Sequence, residues 1–301
     1  MRLKRGNIVL DYKKYKNVIT YDNIQYLITP LNKKKPISKG GNSFVYSAKS
    51  LNSNSEFAIK FSKFQEANIN EFHTNRLLRF NKEIEALEIS KKKNFQFVIK
   101  YLFDDFKEID GSNFHFYMME KAECDLTTYL EINDIPEQQK FQLCTFILEG
   151  IKELHSVDIY HRDIKPDNIL FIGKQWKIGD LGLAEYRDSN FKIDEIGEKI
   201  GPIGWLSPEA MNKVFNEGKK NKYNLDCKLD EQSDIFQLGK LFWFIFQGNI
   251  PIGQIKRKDF LSKNKVMYST IYEMLQHSKS NRYILTDVEN EFKSQYSYYG
   301  I

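Results

Sequence analysis

Residues 159–182 read IYHRDIKPDNILFIGKQWKIGDLG, and this stretch decides the fold. His161, Arg162, Asp163, Lys165 and Asn168 fall in one short loop, and Asp180 follows a predicted hairpin with strands at 168–172 and 176–178. Loop and hairpin bring two carboxylates and an amide together. Such groups suit phosphoryl transfer, whose barrier falls mainly through positioning, neutralisation of phosphate charge by a metal and orientation of the attacking oxygen. A carboxylate at Asp163 can accept a hydroxyl proton, Lys165 can neutralise the transferring group, and Asn168 with Asp180 offers hard oxygen ligands for magnesium.

The run HRDIKPDN at 161–168 resembles the catalytic loop HRDxKxxN of the protein kinase family, here that of eukaryotic-type Ser/Thr kinases. Asp180-Leu181-Gly182 is similar to the family's metal motif, DFG, with leucine in place of phenylalanine. The resemblance covers about residues 37–290 and implies an α+β, two-lobed protein kinase-like fold. Its small antiparallel N-lobe with one key helix is expected at 37–119, its hinge at 120–122 and its mainly helical C-lobe at 123–290. Residues 1–36 alternate with period 2 at 7–10 and 24–28, so they are expected to add strands to the sheet. Residues 291–301 are expected to form a tail.

Outward from the loop, the segment from Ile37 to Tyr46 resembles the family's glycine-rich turn over the nucleotide phosphates. The pattern GxGxxGxV falls on Ser38, Gly40, Ser43 and Val45, with only the middle glycine kept. Ala58-Ile59-Lys60 matches the third strand, where the resemblance implies that Lys60 bridges the α- and β-phosphates. A helix is predicted at 79–89 from the spacing of Phe80, Ile84 and Leu87, and on it Glu83 is the implied partner of Lys60. Strands at 97–106 and 114–119 flank an Asp110-Gly111 turn. The second ends in Met119-Glu120-Lys121-Ala122, where the resemblance places adenine against the backbone of Glu120 and Ala122, with Met119 guarding the back of the pocket.

A helix is predicted at 136–156, with Leu143, Ile147, Ile151 and Leu154 on one stripe, and another at 234–247 that is apolar on every side and hence buried all round. By resemblance, Asp234 holds the backbone of the catalytic loop, and Glu209 of Ser207-Pro208-Glu209 pairs with Arg282. Pro202 stands where Ser/Thr kinases carry a threonine whose hydroxyl links the catalytic aspartate to the catalytic lysine; proline has no such donor. Family members use the arginine of the HRD motif to hold a phosphate on the activation segment. Between Asp180 and Gly201 the only hydroxyl residues are Tyr186 and Ser189. Glu198, with Glu195 as the alternative, is therefore expected to give Arg162 a standing negative charge.

Composition narrows the class further. The 301 residues can bury a sizeable core, and 41% hydrophobic with 14% aromatic content excludes a disordered chain. A net charge of +5 is mild and its lysine runs are scattered, so nucleic acid is not an expected partner. Cys124, Cys144 and Cys227 are too few and too far apart for a disulfide framework. The first residues lack the apolar core of a signal peptide, and the longest apolar run, 241–246, is far short of the roughly 20 residues that span a bilayer. A soluble cytoplasmic enzyme is expected, away from membranes, acting on a protein substrate with ATP and magnesium, or manganese in its place. Two alternatives stay open: a nucleotide-binding pseudokinase or scaffold, and a small-molecule phosphotransferase of related fold. No feature speaks to oligomeric state.

Overall fold

A computed structural model describes residues 1–31, 43–65, 71–187, 193–219 and 224–300, except for the side chains of 71–73. The chain divides into two compact units, Met1–Asn94 with Ile99–Glu123, and Phe95–Val98 with Cys124–Ile301.

The first unit is built on antiparallel strands. Strands β1 (Arg2–Lys4) and β2 (Asn7–Val9) form a hairpin of their own. Strands β3 (Val18–Tyr21), β4 (Ile24–Pro30), β5 (Ser43–Ser50), β6 (Glu56–Ser62), β7 (Tyr101–Ile109) and β8 (Ser112–Glu120) make one sheet in the order β3-β4-β5-β6-β8-β7. Residues 1–36 thus supply two strands of this sheet, β4 hydrogen-bonded to β5 and β3 hydrogen-bonded to β4 at the edge. The small hairpin is tied on by Ile8, which is buried in the sheet's core cluster and whose carbonyl accepts 2.6 Å from the buried Tyr46 hydroxyl. Burial pushes that phenol up to about 12, as expected for a group that must stay neutral to donate.

Helix α1 (Glu71–Lys92) buries Leu77, Phe80, Ile84 and Leu87, a 3-4-3 spacing that places them on one face. It begins well before the predicted 79–89, because the stripe continues N-terminally through Leu77. The expected strand at 97–106 is corrected: β7 starts at Tyr101, and Val98 makes a parallel bridge to Ile178 within the second unit.

The second unit is mainly helical. It contains β9 (Cys124–Asp125), α2 (Leu126–Ile132), α3 (Glu137–His155), β10 (Ile159–Tyr160), β11 (Ile169–Ile172), β12 (Gln175–Ile178), β13 (Glu185–Tyr186), α4 (Pro208–Asn216), α5 (Glu231–Gln247), α6 (Lys265–Met274), α7 (Leu285–Ser294) and α8 (Tyr296–Tyr299). The predicted hairpin is present as β11 and β12, with Ile169 opposite Ile178. Gly150 lets α3 approach it closely, since a Cβ there would meet Ile178 Cγ1 at 2.6 Å. Helix α5 starts on a capping box between Asp230 and Ser233 and ends on Gly248 at φ 75°, and its apolar residues are buried around most of its circumference. The tail expected at 291–301 is corrected as well. Position 290 lies inside α7, and Phe292 and Tyr299 stack on Phe141 of α3 at 5.0 and 4.2 Å, so the last residues belong to the core.

Candidate active site

In the first unit the site is written on one face of the sheet. Lys60 of β6 stands opposite Val45 of β5 and Tyr117 of β8, and Ala58 stands opposite Met119. Directly opposed residues of an antiparallel pair, and residues two apart on a strand, share a face. Val45, Ala58, Lys60 and Met119 therefore lie on one face of the sheet. Lys60 Nζ donates to both carboxylate oxygens of Glu83 at 2.7 and 2.9 Å, and the Tyr117 hydroxyl donates to Glu83 Oε1 at 2.9 Å. Lysine and glutamate are both buried, so each would carry an uncompensated charge without the other. Tyr117 was not foreseen, because an aromatic residue in an apolar strand reads as core. At the strand's end, Glu120 N–H donates 3.0 Å to Lys100 O and its side chain accepts 2.7 Å from Lys100 N. That amide is engaged within the protein; Ala122 follows, half-buried. Ser38 and Gly40 lie outside the described residues.

In the second unit, the catalytic loop is held by its peptide groups. Asp234, at the start of α5, accepts from His161 N at 2.7 Å and Arg162 N at 2.8 Å, and His155 Nε2 lies 2.9 Å from its Oδ2. One turn on, the buried Gln237 accepts 2.8 Å from Ile164 N and donates 3.1 Å to Arg162 O. Asp163 is thus fixed through the residues on both sides of it. His161 accepts from Asp163 N through Nδ1 (3.2 Å), and its Nε2 faces Gly179 O at 3.1 Å, which joins the loop to the residue before Asp180. Arg162 and Asp180 adopt left-handed backbone conformations, φ 63° and 54°, of the kind that surrounding contacts must enforce.

The Asp163 carboxylate is buried and its two oxygens differ. Oδ2 accepts 2.6 Å from Lys165 Nζ and 3.1 Å from Asn168 Nδ2, whereas Oδ1 is buried without a hydrogen-bond partner. Against it lies Gly201, at φ +93°, where an added Cβ would come within 3.3 Å of Oδ1. Pro202 next to it has no N–H to offer. Burial pushes the carboxyl above its ordinary range, while Lys165 pulls the other way. Asn168 spends its Nδ2 on Asp163, which turns its Oδ1 into the group able to ligate a cation. Asp180 is exposed and adds to the negative potential at Asp163. No group of three or more His, Cys, Asp or Glu able to hold a metal occurs among the described residues. The amide oxygen and the one carboxylate fit a magnesium ion that completes its shell with phosphate oxygens and water.

The expected partner of Arg162 is corrected. Its guanidinium grips Asp194, Nη1 to Oδ2 at 2.6 Å and Nη2 to Oδ1 at 3.1 Å, and Nε donates 2.7 Å to Leu183 O. Glu198 instead accepts from Glu195 N at 3.1 Å, closing a local turn. Lower in this unit, Arg282 holds the buried Glu209 in a bidentate pair at 3.0 and 3.2 Å, as expected.

The family model for the protein kinase domain matches residues 31–296. The chain belongs to the protein kinase family. Among curated proteins it is similar to the serine/threonine-protein kinase cds1 of Schizosaccharomyces pombe, 29% identical over 82% of this chain and 51% of that kinase. It is also similar to the serine/threonine-protein kinase mph1 of the same yeast, 27% identical over 81% of this chain and 34% of the relative, and to the dual specificity protein kinase Ttk of Danio rerio, 24% identical over 73% and 21%. The chain spans about half or less of the length of these relatives.

Proposed function

We propose that this chain is a Ser/Thr protein kinase that transfers the γ-phosphoryl group of ATP to hydroxyls of a protein substrate, with magnesium as its metal. The observation that carries the reading is the Asp163 carboxylate. One oxygen is tethered by Lys165 and Asn168, and the other is buried, bare and placed to accept a proton from an incoming hydroxyl. Asn168 and Asp180 would hold the metal, which supplies charge neutralisation for the phosphates. Lys165 faces the developing charge from beside Asp163. In the first unit Lys60, kept extended by Glu83, offers a fixed cation to the α- and β-phosphates.

Activity in this reading needs no phosphate on the activation segment, because Asp194 already neutralises Arg162. Purified protein incubated with magnesium, labelled ATP and a generic protein acceptor is expected to incorporate label, and Asp163→Asn to abolish it. Nucleotide binding without incorporation would leave a scaffold, and label confined to small hydroxylated compounds would leave a small-molecule phosphotransferase.

A further inference from the structure

Helix α5 carries a lysine that phosphoryl transfer leaves unused. Lys240 is buried; its Nζ donates 2.9 Å to Gly204 O and lies 5.5 Å from the centre of the Phe236 ring. An ammonium has three donors, and one is engaged. Burial alone shifts the amine, downward, with no carboxylate contributing, and among the described residues none pairs with it. The buried acids Glu209 and Asp234 are committed elsewhere, Glu209 to Arg282 and Asp234 to the catalytic loop. Buried charges are as a rule paired, so this cation has a vacancy for an anion.

Lys240 lines a pocket of about 130 Å³ whose other walls are mainly apolar, among them Leu206, Phe236, Pro251 and Leu275, with His277 as a second polar side chain. At roughly 30 Å³ per water this is room for about four waters, or for one short side chain ending in a carboxylate. Its position matters more than its size. Gly204, the carbonyl that Lys240 holds, is three residues beyond Gly201, which stands against the bare oxygen of Asp163. Three residues reach at most roughly 11 Å. The pocket rim therefore lies within a few peptide residues of the reacting hydroxyl.

We propose that this pocket is a substrate-recognition site in which Lys240 pairs with an aspartate or glutamate near the phosphoacceptor of the protein substrate. The proposal rests on the kinase reading and sharpens it to an acidic substrate class. The competing role, a lysine that only props the Gly204 carbonyl, makes different demands on substitution: Lys240→Gln keeps a donor for the carbonyl and loses the charge, whereas Lys240→Arg keeps both.

The test uses an alanine-rich serine peptide with aspartate placed in turn at each flanking position. For the wild type, aspartate at one or two positions is expected to raise kcat/KM about ten-fold through KM, the lower end for a hydrogen bond to a charged group. Lys240→Gln should flatten that preference and Lys240→Arg retain it. Independently of turnover, acylation of Lys240 by acetic anhydride, read by mass spectrometry, should be suppressed by the preferred aspartate peptide and not by the alanine peptide. Equal kcat/KM at every position, or equal acylation with all peptides, overturns the proposal. If the wild type phosphorylates no peptide, matching Asp163→Asn, the kinase reading fails, and the acylation arm still decides the pocket.

Discussion

Arg282→Met tests how far the second unit depends on one buried ion pair. The guanidinium makes both hydrogen bonds to Glu209, donates to the carbonyls of Gln276, Gln232 and His277 at 2.9, 2.6 and 3.1 Å, and lies 4.9 Å from the Phe236 ring centre. Methionine fills part of the volume and leaves Glu209 buried without its partner. Breaking a buried pair from one side costs about 3–5 kcal/mol. At about 2–3 °C per kcal/mol for a chain this large, the melting temperature is expected to fall by roughly 6–15 °C. The pH dependence has a definite sign. Burial pushes the Glu209 carboxyl up, and Arg282 overrides it and holds the carboxyl below its ordinary value of 4.5. A depressed carboxyl contributes stability that is full above its unfolded pKa and is lost as pH falls through the folded one. The gap between wild type and Arg282→Met should therefore be widest above pH 4.5 and close on acidification, where the orphaned carboxyl takes a proton. Thermal unfolding of both proteins, and of Arg282→Met with Glu209→Gln added, measures this. A loss below about 2 °C at pH 7, or a second substitution that makes matters worse, would refute the reasoning.

Asp194→Asn should lower kcat/KM about ten-fold or more, since it strips a charged partner from a buried guanidinium; Glu198→Ala, assayed beside it, should retain wild-type activity. Pro202→Thr should give Asp163 Oδ1 a donor and so favour its charged form. With Asp163 as the proposed base, the new donor opposes the upward push of burial on its carboxyl, and the acid limb of kcat/KM is expected to move down by about one pH unit. Gln237→Leu leaves Ile164 N–H and Arg162 O unsatisfied on either side of Asp163, and kcat should drop about ten-fold with KM for ATP little changed. A matching rise in KM would point to a general loss of packing instead.

The catalytic loop was legible because its chemistry is contiguous: Asp163, Lys165 and Asn168 sit within one six-residue stretch, and their meeting needs no long-range information. For Lys60 and Glu83, periodicity marked only the strand and the helix that carry them; their pairing was legible through the resemblance. Asp194 was not. Asp194, Glu195 and Glu198 crowd one irregular stretch, and which of them reaches Arg162 depends on the path of a segment with no repeat to read. Gln237 was hidden for the opposite reason, because a helix apolar on every side draws attention away from an amide in its second turn. The strand expected at 97–106 merged two pieces that belong to different units, since a run of apolar residues carries no mark where its partner changes. Phe292 and Tyr299 lie so near the chain's end that only their stacking on Phe141 reveals them as core.

The grip of α5 on the loop has a genetic consequence. Asp234 and Gln237 bind peptide N–H and C=O groups, and every residue but proline offers both. The shape around Asp163 is thus stored at two codons some 70 positions downstream of the loop it shapes. In a saturation library, exchanges at Ile164 that keep an N–H should preserve that geometry, while positions 234 and 237 should tolerate almost nothing. Selection on this site would be felt most sharply at two helical positions that grip only the loop's peptide groups.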